Sequence, residues 1–162
     1  MLTPDNHRVP TVRATATVPG RVVEAEELWY DPHRWAAWVD GFGHVAKLEG
    51  EWPREGARLL WDSRPNGRGR VDERVTRYEA RTGQTLAVED HRLIGTQAVA
   101  FTPEGDEVHV SLTLEYSLKQ RSPITPIVDV LFIRRALHAS LQRTLARFGH
   151  ERRAELGRAP LD

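Results

Sequence analysis

EVHVSLTLEYSL, residues 107–118, and IVDVLFIRRALHASLQRTLARFGHERRAE, residues 127–155, decide the fold between them. In the first stretch Val108, Val110, Leu112, Leu114, Tyr116 and Leu118 alternate with His109, Ser111, Thr113, Glu115 and Ser117. A period of two over this length means a strand with one dry face and one wet face. In the second stretch the period changes. At about 100° per residue, Ile127, Val130, Leu131, Leu137, Leu141, Leu145 and Phe148 fall on one broad face, with Asp129, Ser140, Arg143 and Arg147 opposite. This spacing predicts a long amphipathic helix. Its first turn and a half is apolar nearly all round, because Val128, Phe132 and Ile133 join the stripe. Extra burial is expected there, and the second subunit of a homodimer is one candidate cover.

Working outward, residues 122–126 form a proline-bounded linker, and the chain before residue 107 reads as a meander. Strands are expected near 44–52, 57–64, 69–80, 85–93 and 95–102, separated by 53–56, Pro65-Asn66-Gly67, Thr82-Gly83, Gly95 and 103–106. Turn residues at such short intervals imply hairpins and an antiparallel sheet. Further upstream, Val12, Ala14, Ala16 and Val18 alternate with Arg13, Thr15 and Thr17, which predicts another half-buried strand over 11–18. Pro19-Gly20 stops it. Val22, Ala25, Leu28 and Trp29 then form a helical stripe, and Asp31 with Pro32 opens a second short helix carrying Trp35 and Trp38 on one face. The order is one strand, two short helices, six strands and one long helix. The single long helix must cross the concave, apolar side of a seven-stranded sheet, with the short helices closing one end. A helix covers about 10 Å of width, against roughly 4.8 Å for each strand. A hollow beside the helix is the natural consequence.

Composition narrows the function classes. The 162 residues suit one domain over 11–156, with a loose lead-in at 1–10 and a tail at 157–162. Lys plus Arg and Asp plus Glu number 23 each, so no global field draws nucleic acid or an anionic membrane. There is no cysteine, which rules out disulfides, thiolate metal sites and a cysteine nucleophile. Residues 1–10 are polar and carry no signal-peptide pattern, no stretch suits a membrane span, and a cytoplasmic location is expected. The histidines at 33, 44, 91, 109 and 138 lack the spacing of a zinc site, and no motif calls for a cofactor.

Val18-Pro19-Gly20, the run from Asp31 to Trp38 (DPHRWAAW), Gly56, Glu73-Arg74-Val75-Thr76 and the amphipathic last helix together resemble the START/Bet-v-1-like helix-grip (SRPBCC) superfamily. Within it the chain is most similar to the polyketide cyclase/dehydrase and lipid-transport branch, from residue 12 to about 153. The resemblance implies an α+β helix-grip fold and members that bind lipids, polyketides, quinones or hormones. It implies no particular catalytic residue, because no cyclase motif matches position by position.

Several residues stand out as candidate pocket groups. Arg134 and His138 interrupt the apolar stripe of the long helix between Leu131, Leu141 and Leu145. A charge there is costly unless it is paired or faces a wet cavity. Two readings follow: they orient a polar group of a ligand, or Arg134 snorkels past the sheet edge while His138 is a satisfied core histidine. Glu73 shares a strand face with Val71 and Val75, and Asp90 shares one with Leu86 and Val88, so either carboxylate could face inward toward Arg134 or His138. One residue of slip would send them to solvent, and the facing of 57–64 and 85–93 stays open. Tyr116, Trp61, Leu112 and Leu114 complete the candidate lining. Trp29, Trp35, Trp38, Trp52 and Trp61 read as core and lid packing before a cofactor box.

Three functions fit this pattern. The first is a binder of a small hydrophobic, lipid-like or aromatic molecule between sheet and helix. The second is a cyclase or dehydratase using His138 with Glu73 or Asp90 as acid and base, and Arg134 or Tyr116 as donor to an enolate. The third is a protein-interaction module of the same fold.

Overall fold

The computed structural model describes residues 8–119 and 127–158. The chain runs β1 (Thr11–Pro19), α1 (Val22–Trp29), a 3-10 turn (Pro32–Arg34), α2 (Trp35–Trp38), β2 (Phe42–Glu49), β3 (Arg58–Ser63), β4 (Arg70–Glu79), β5 (Gly83–Glu89), β6 (Leu93–Glu104), β7 (Glu107–Leu118) and α3 (Ile127–Arg158). All seven strands join one antiparallel sheet in the order β1-β7-β6-β5-β4-β3-β2. The linker at 122–126 lies outside the described residues. No helix is long and apolar enough to cross a membrane among the described residues.

The alternations set the strand facing. Val108, Val110, Leu112, Leu114 and Tyr116 are all buried, as are Ala57, Leu59 and Trp61 before and in β3, and Leu86 and Val88 in β5. The facing of 57–64 and 85–93, which the sequence left open, is therefore settled with Leu59 and Trp61 of β3 and Leu86 and Val88 of β5 pointing inward. One expected break is absent. Gly95 lies inside β6 opposite Tyr116, and the turn falls earlier, at residues 90–92, where Asp90 accepts the Arg92 and Leu93 N–H groups. A Cβ at Gly95 would stand 2.1 Å from the Glu115 carbonyl oxygen. Glycine is there for close backbone approach and not for a turn.

The short helices start where capping chemistry allows. The Arg21 backbone N–H and Nε both donate to Glu24 Oε1 at 3.0 Å, and Asp31 Oδ1 accepts the His33 N–H at 3.0 Å ahead of the proline-led turn. α1 and α2 pack against α3, so they cover the part of the sheet that α3 leaves bare.

α3 lies along the edge strand β1, with Gly149 beside Val18 and the Leu131–His138 turns beside Thr11. Its 32 residues span about 48 Å, whereas the nine of β1 span about 30 Å. The surplus runs past β1 at both ends: the residues after Gly149 continue beside Arg34 and Glu24, and those before Leu131 pass the start of the strand. Leu141, Leu145 and Phe148 are buried as expected, but Val130, Leu131 and Phe132 are exposed, the last by 71%. The C-terminal half is tied down by Arg34, which donates to Glu151 and Glu155, and by buried Arg152, which pairs with Glu24 and Glu155.

Candidate functional site: an aromatic cavity with a buried carboxyl

Inside the sheet, against the middle of α3, lies a cavity of about 60 Å³ walled by Trp29, Trp35, Trp38, Trp61, Leu86, Leu112 and Leu141. The hollow expected from strand and helix widths is thus mostly filled by rings. Trp29 sits 4.8 Å from Trp38, Phe148 packs edge-on to both at 5.1 Å, and Phe42 lies 5.3 Å from Trp61. Each indole buries roughly 150–250 Å², so two short helices cover more sheet than their backbone width implies.

The polar groups of this wall are unevenly satisfied. Trp35 Nε1 donates to the Trp29 carbonyl at 2.8 Å and Trp52 Nε1 to the Tyr30 carbonyl at 3.0 Å. By contrast, Trp38 Nε1, Trp61 Nε1, Arg68 Nη2 and Glu73 Oε2 are buried without a hydrogen-bond partner among the described residues. All four residues line the cavity. A buried polar group left unpaired costs about 1–3 kcal/mol, so four around one small space favour any guest that can pair with them.

Glu73 is the sharpest of these. It stands on β4 between buried Val71 and Val75, and the pleat turns it inward. Burial drives its carboxyl up to about 7, and this is offset only in part by the Arg68 charge and by the Trp61 indole N–H, which lies close to the carboxyl without completing a well-formed hydrogen bond. Arg68 comes from the β3–β4 connection. Its Nε donates to Asp90 Oδ2 at 2.8 Å, and its guanidinium lies 5.7 Å from the centre of the Trp61 ring. Burial alone would raise the Asp90 carboxyl, but Arg68 and the Arg92 and Leu93 N–H groups outweigh it and hold that carboxyl below its usual value. Asp90 thereby fixes Arg68 while leaving Nη2 free to face the cavity.

A latch closes the rim. Asp40, between α2 and β2, accepts from Ser140 Oγ at 2.7 Å, from Arg143 Nε and Nη2 at 3.1 and 3.0 Å, and from Arg147 Nη1 at 3.2 Å. Its backbone N–H donates to Thr144 Oγ1 at 3.0 Å. Burial opposes ionisation of Asp40, yet the Arg143 and Ser140 hydrogen bonds and the two arginine charges prevail and lower its carboxyl.

These features lie on a chain whose residues 9–151 match the family model described as polyketide cyclase/dehydrase and lipid transport. The chain belongs to this family. No curated protein matches its sequence. Among solved structures, family-like folds recur at low identity. The protein TTHA0849 of Thermus thermophilus is 20% identical with a TM-score of 0.71, over 90% of this chain and 99% of that one. DynU16, from the dynemicin biosynthetic locus, is 22% identical with a TM-score of 0.61, over 86% of this chain and 46% of that one. StfQ, a di-domain ARO/CYC from the steffimycin biosynthetic pathway, is 16% identical with a TM-score of 0.71, over 91% and 52%. This family member thus spans about half the length of DynU16 and of StfQ.

Of the sequence candidates, the fold brings Trp61, Glu73, Leu112 and Leu141 together at the cavity. Leu114 and Tyr116 are buried in the core beyond it. Burial raises the Tyr116 hydroxyl, and the Arg134 charge works against that rise. Asp90 faces inward, but its partner is Arg68 and neither Arg134 nor His138. Leu131, Arg134 and His138 line a separate surface groove with Thr11, Val12, Arg13 and Arg135. Ser140, placed by the helical wheel on the far side, instead lines the rim. The wheel gave a broad face, and the choice of its centre depended on apolar residues that overhang the sheet. Arg68, Asp40, Trp38, Gln84, Gln97 and Thr144 also line the cavity and were not among the sequence candidates. Arg68 and Asp40 stand in connections whose sequences carry only turn signals, so nothing local pointed to them.

Proposed function

We propose that this protein binds a compact hydrophobic molecule bearing an oxygen acceptor, such as a phenol or a ketone, in the aromatic cavity. The observation that carries this reading is the unpartnered set facing one space: Trp38 Nε1, Trp61 Nε1, Arg68 Nη2 and Glu73 Oε2. Indole faces suit a flat ring, while three donors and one carboxyl suit an oxygen. Family membership and the ARO/CYC likeness support a ligand-binding use of the fold. A cavity of about 60 Å³ holds a few water-sized groups, well below the ~300–1,000 Å³ of drug-sized sites. A guest of several rings therefore requires the Asp40 latch or the indoles to shift.

The test is a titration of intrinsic tryptophan fluorescence with phenol at neutral pH. Saturable quenching that is weakened by Trp61→Leu and by Arg68→Met supports the assignment. Linear, unsaturable quenching by a folded wild-type protein removes it.

A second reading is favoured by the Glu73 carboxyl, which titrates at about 7. A base near neutrality can take an α-proton from a ketone, becoming the acid, while Arg68 and the indole N–H groups receive the enolate oxygen; returning the proton closes the cycle. Glu73 then carries alone the acid–base role that the sequence reading shared between His138 and Glu73 or Asp90. Deuterium uptake at the α-carbon of acetophenone, followed by NMR and lost in Glu73→Gln, is the measurement. Uptake unchanged by Glu73→Gln rejects it.

A further inference from the structure

Net charge is zero for the whole chain, but the charged side chains that line the groove between β1 and the first turns of α3 are all basic. Val130, Leu131 and Phe132 are exposed there on the projecting turns of the helix. Arg134 and Arg135 follow directly, and Arg13 of the edge strand flanks the same groove, whose volume is about 540 Å³. Among the described residues, no carboxylate lines that groove. Arg13 Nε donates to Ser111 Oγ, and none of the three arginines forms an ion pair among the described residues.

We propose that this end of α3 is a docking surface for an anionic lipid bilayer, with Phe132 and its apolar neighbours entering the headgroup boundary and the three arginines meeting lipid phosphates. A projecting helical segment with large apolar residues beside arginines has the makeup of an interfacial anchor. Charge decides between a bilayer and a second copy of the chain. A two-fold interface pairs the same patch with itself, so arginines would meet arginines with no groove carboxylate to separate them. An anionic membrane offers the complement on every side. The bilayer could also present an apolar guest near the cavity, but the docking surface stands without that role.

The experiment is flotation of the full-length protein with phosphatidylcholine vesicles prepared with and without phosphatidylglycerol, at low and high salt, alongside sedimentation velocity without lipid. Binding is expected only to the anionic vesicles, and it should fade as salt rises. Each arginine near the surface is worth about fivefold, so Arg134→Gln/Arg135→Gln should lower partitioning roughly 30-fold. Phe132→Ser should lower it about tenfold. All three side chains are exposed, so folding and melting temperature should stay at wild-type values. Absence of binding, or equal binding to neutral and anionic vesicles, overturns the proposal. A concentration-dependent dimer that Phe132→Ser abolishes, without vesicle binding, overturns it in favour of a second copy.

Discussion

Replacing Glu73 by glutamine should leave the protein unchanged in acid and make it more stable at alkaline pH. The side chain is 5% exposed and its carboxyl, raised by burial, titrates at about 7 instead of 4.5. Each tenfold change in proton affinity corresponds to about 1.36 kcal/mol, so ionising Glu73 in the folded state costs about 3 kcal/mol. Between pH 4.5 and about 7 the folded protein holds a proton that the unfolded chain has released. Stability must therefore fall as pH rises through that window and level off above it. Below the window both states are protonated and the contribution vanishes. Glutamine has the shape of the neutral acid and cannot ionise, so the difference between variant and wild type isolates this one group. Urea denaturation at half-unit steps from pH 4.5 to 8.5 should give a difference near zero at the acid end. It should grow to about 3 kcal/mol in favour of the variant at the basic end. The paired carboxylates Asp40, Asp62, Asp72 and Asp90, all lowered, titrate alike in both proteins and cancel. A difference independent of pH would refute the argument, because it would mean that Glu73 is ionised at ordinary cost through contacts other than those described.

Two other changes probe the frame of the cavity. Asp40→Asn keeps the shape of the latch but removes the charge that holds Arg143 and Arg147, which are about half exposed. With that exposure the loss should be only about 1–2 kcal/mol, while amide exchange at Val39–Gly41 rises by an order of magnitude or more, measured by mass spectrometry. Gly95→Ala sets a methyl group against the Glu115 carbonyl oxygen at 2.1 Å, a contact that backbone atoms cannot relieve by a side-chain turn. It should cost several kcal/mol or prevent folding, seen as loss of the cooperative thermal transition, whereas Gly105→Ala, which meets no neighbour but must take up a φ of +64°, should cost only about 1–2 kcal/mol.

The order of elements, the antiparallel sheet and the inward faces of β1 and β7 could be read from residue patterns alone. Period two and period 3.6 are local properties that burial imposes directly on neighbouring residues. Val108 to Tyr116 and Leu141 to Phe148 needed no partner to announce their buried faces. Glu73, Trp61, Leu112 and Leu141 were also legible as pocket candidates, because each sits on such a face. Arg68, Asp40 and the shift of emphasis from Arg134 and His138 to Ser140 and Thr144 were not. Arg68 is aimed by Asp90, 22 residues away, and the Asp40 latch by side chains about a hundred residues away. A sequence fixes periodicity within one element, but how far a helix overhangs a sheet, and which loop side chains reach one space, depends on how elements of different lengths dock. Those contacts are long-range, and only the tertiary structure decides them.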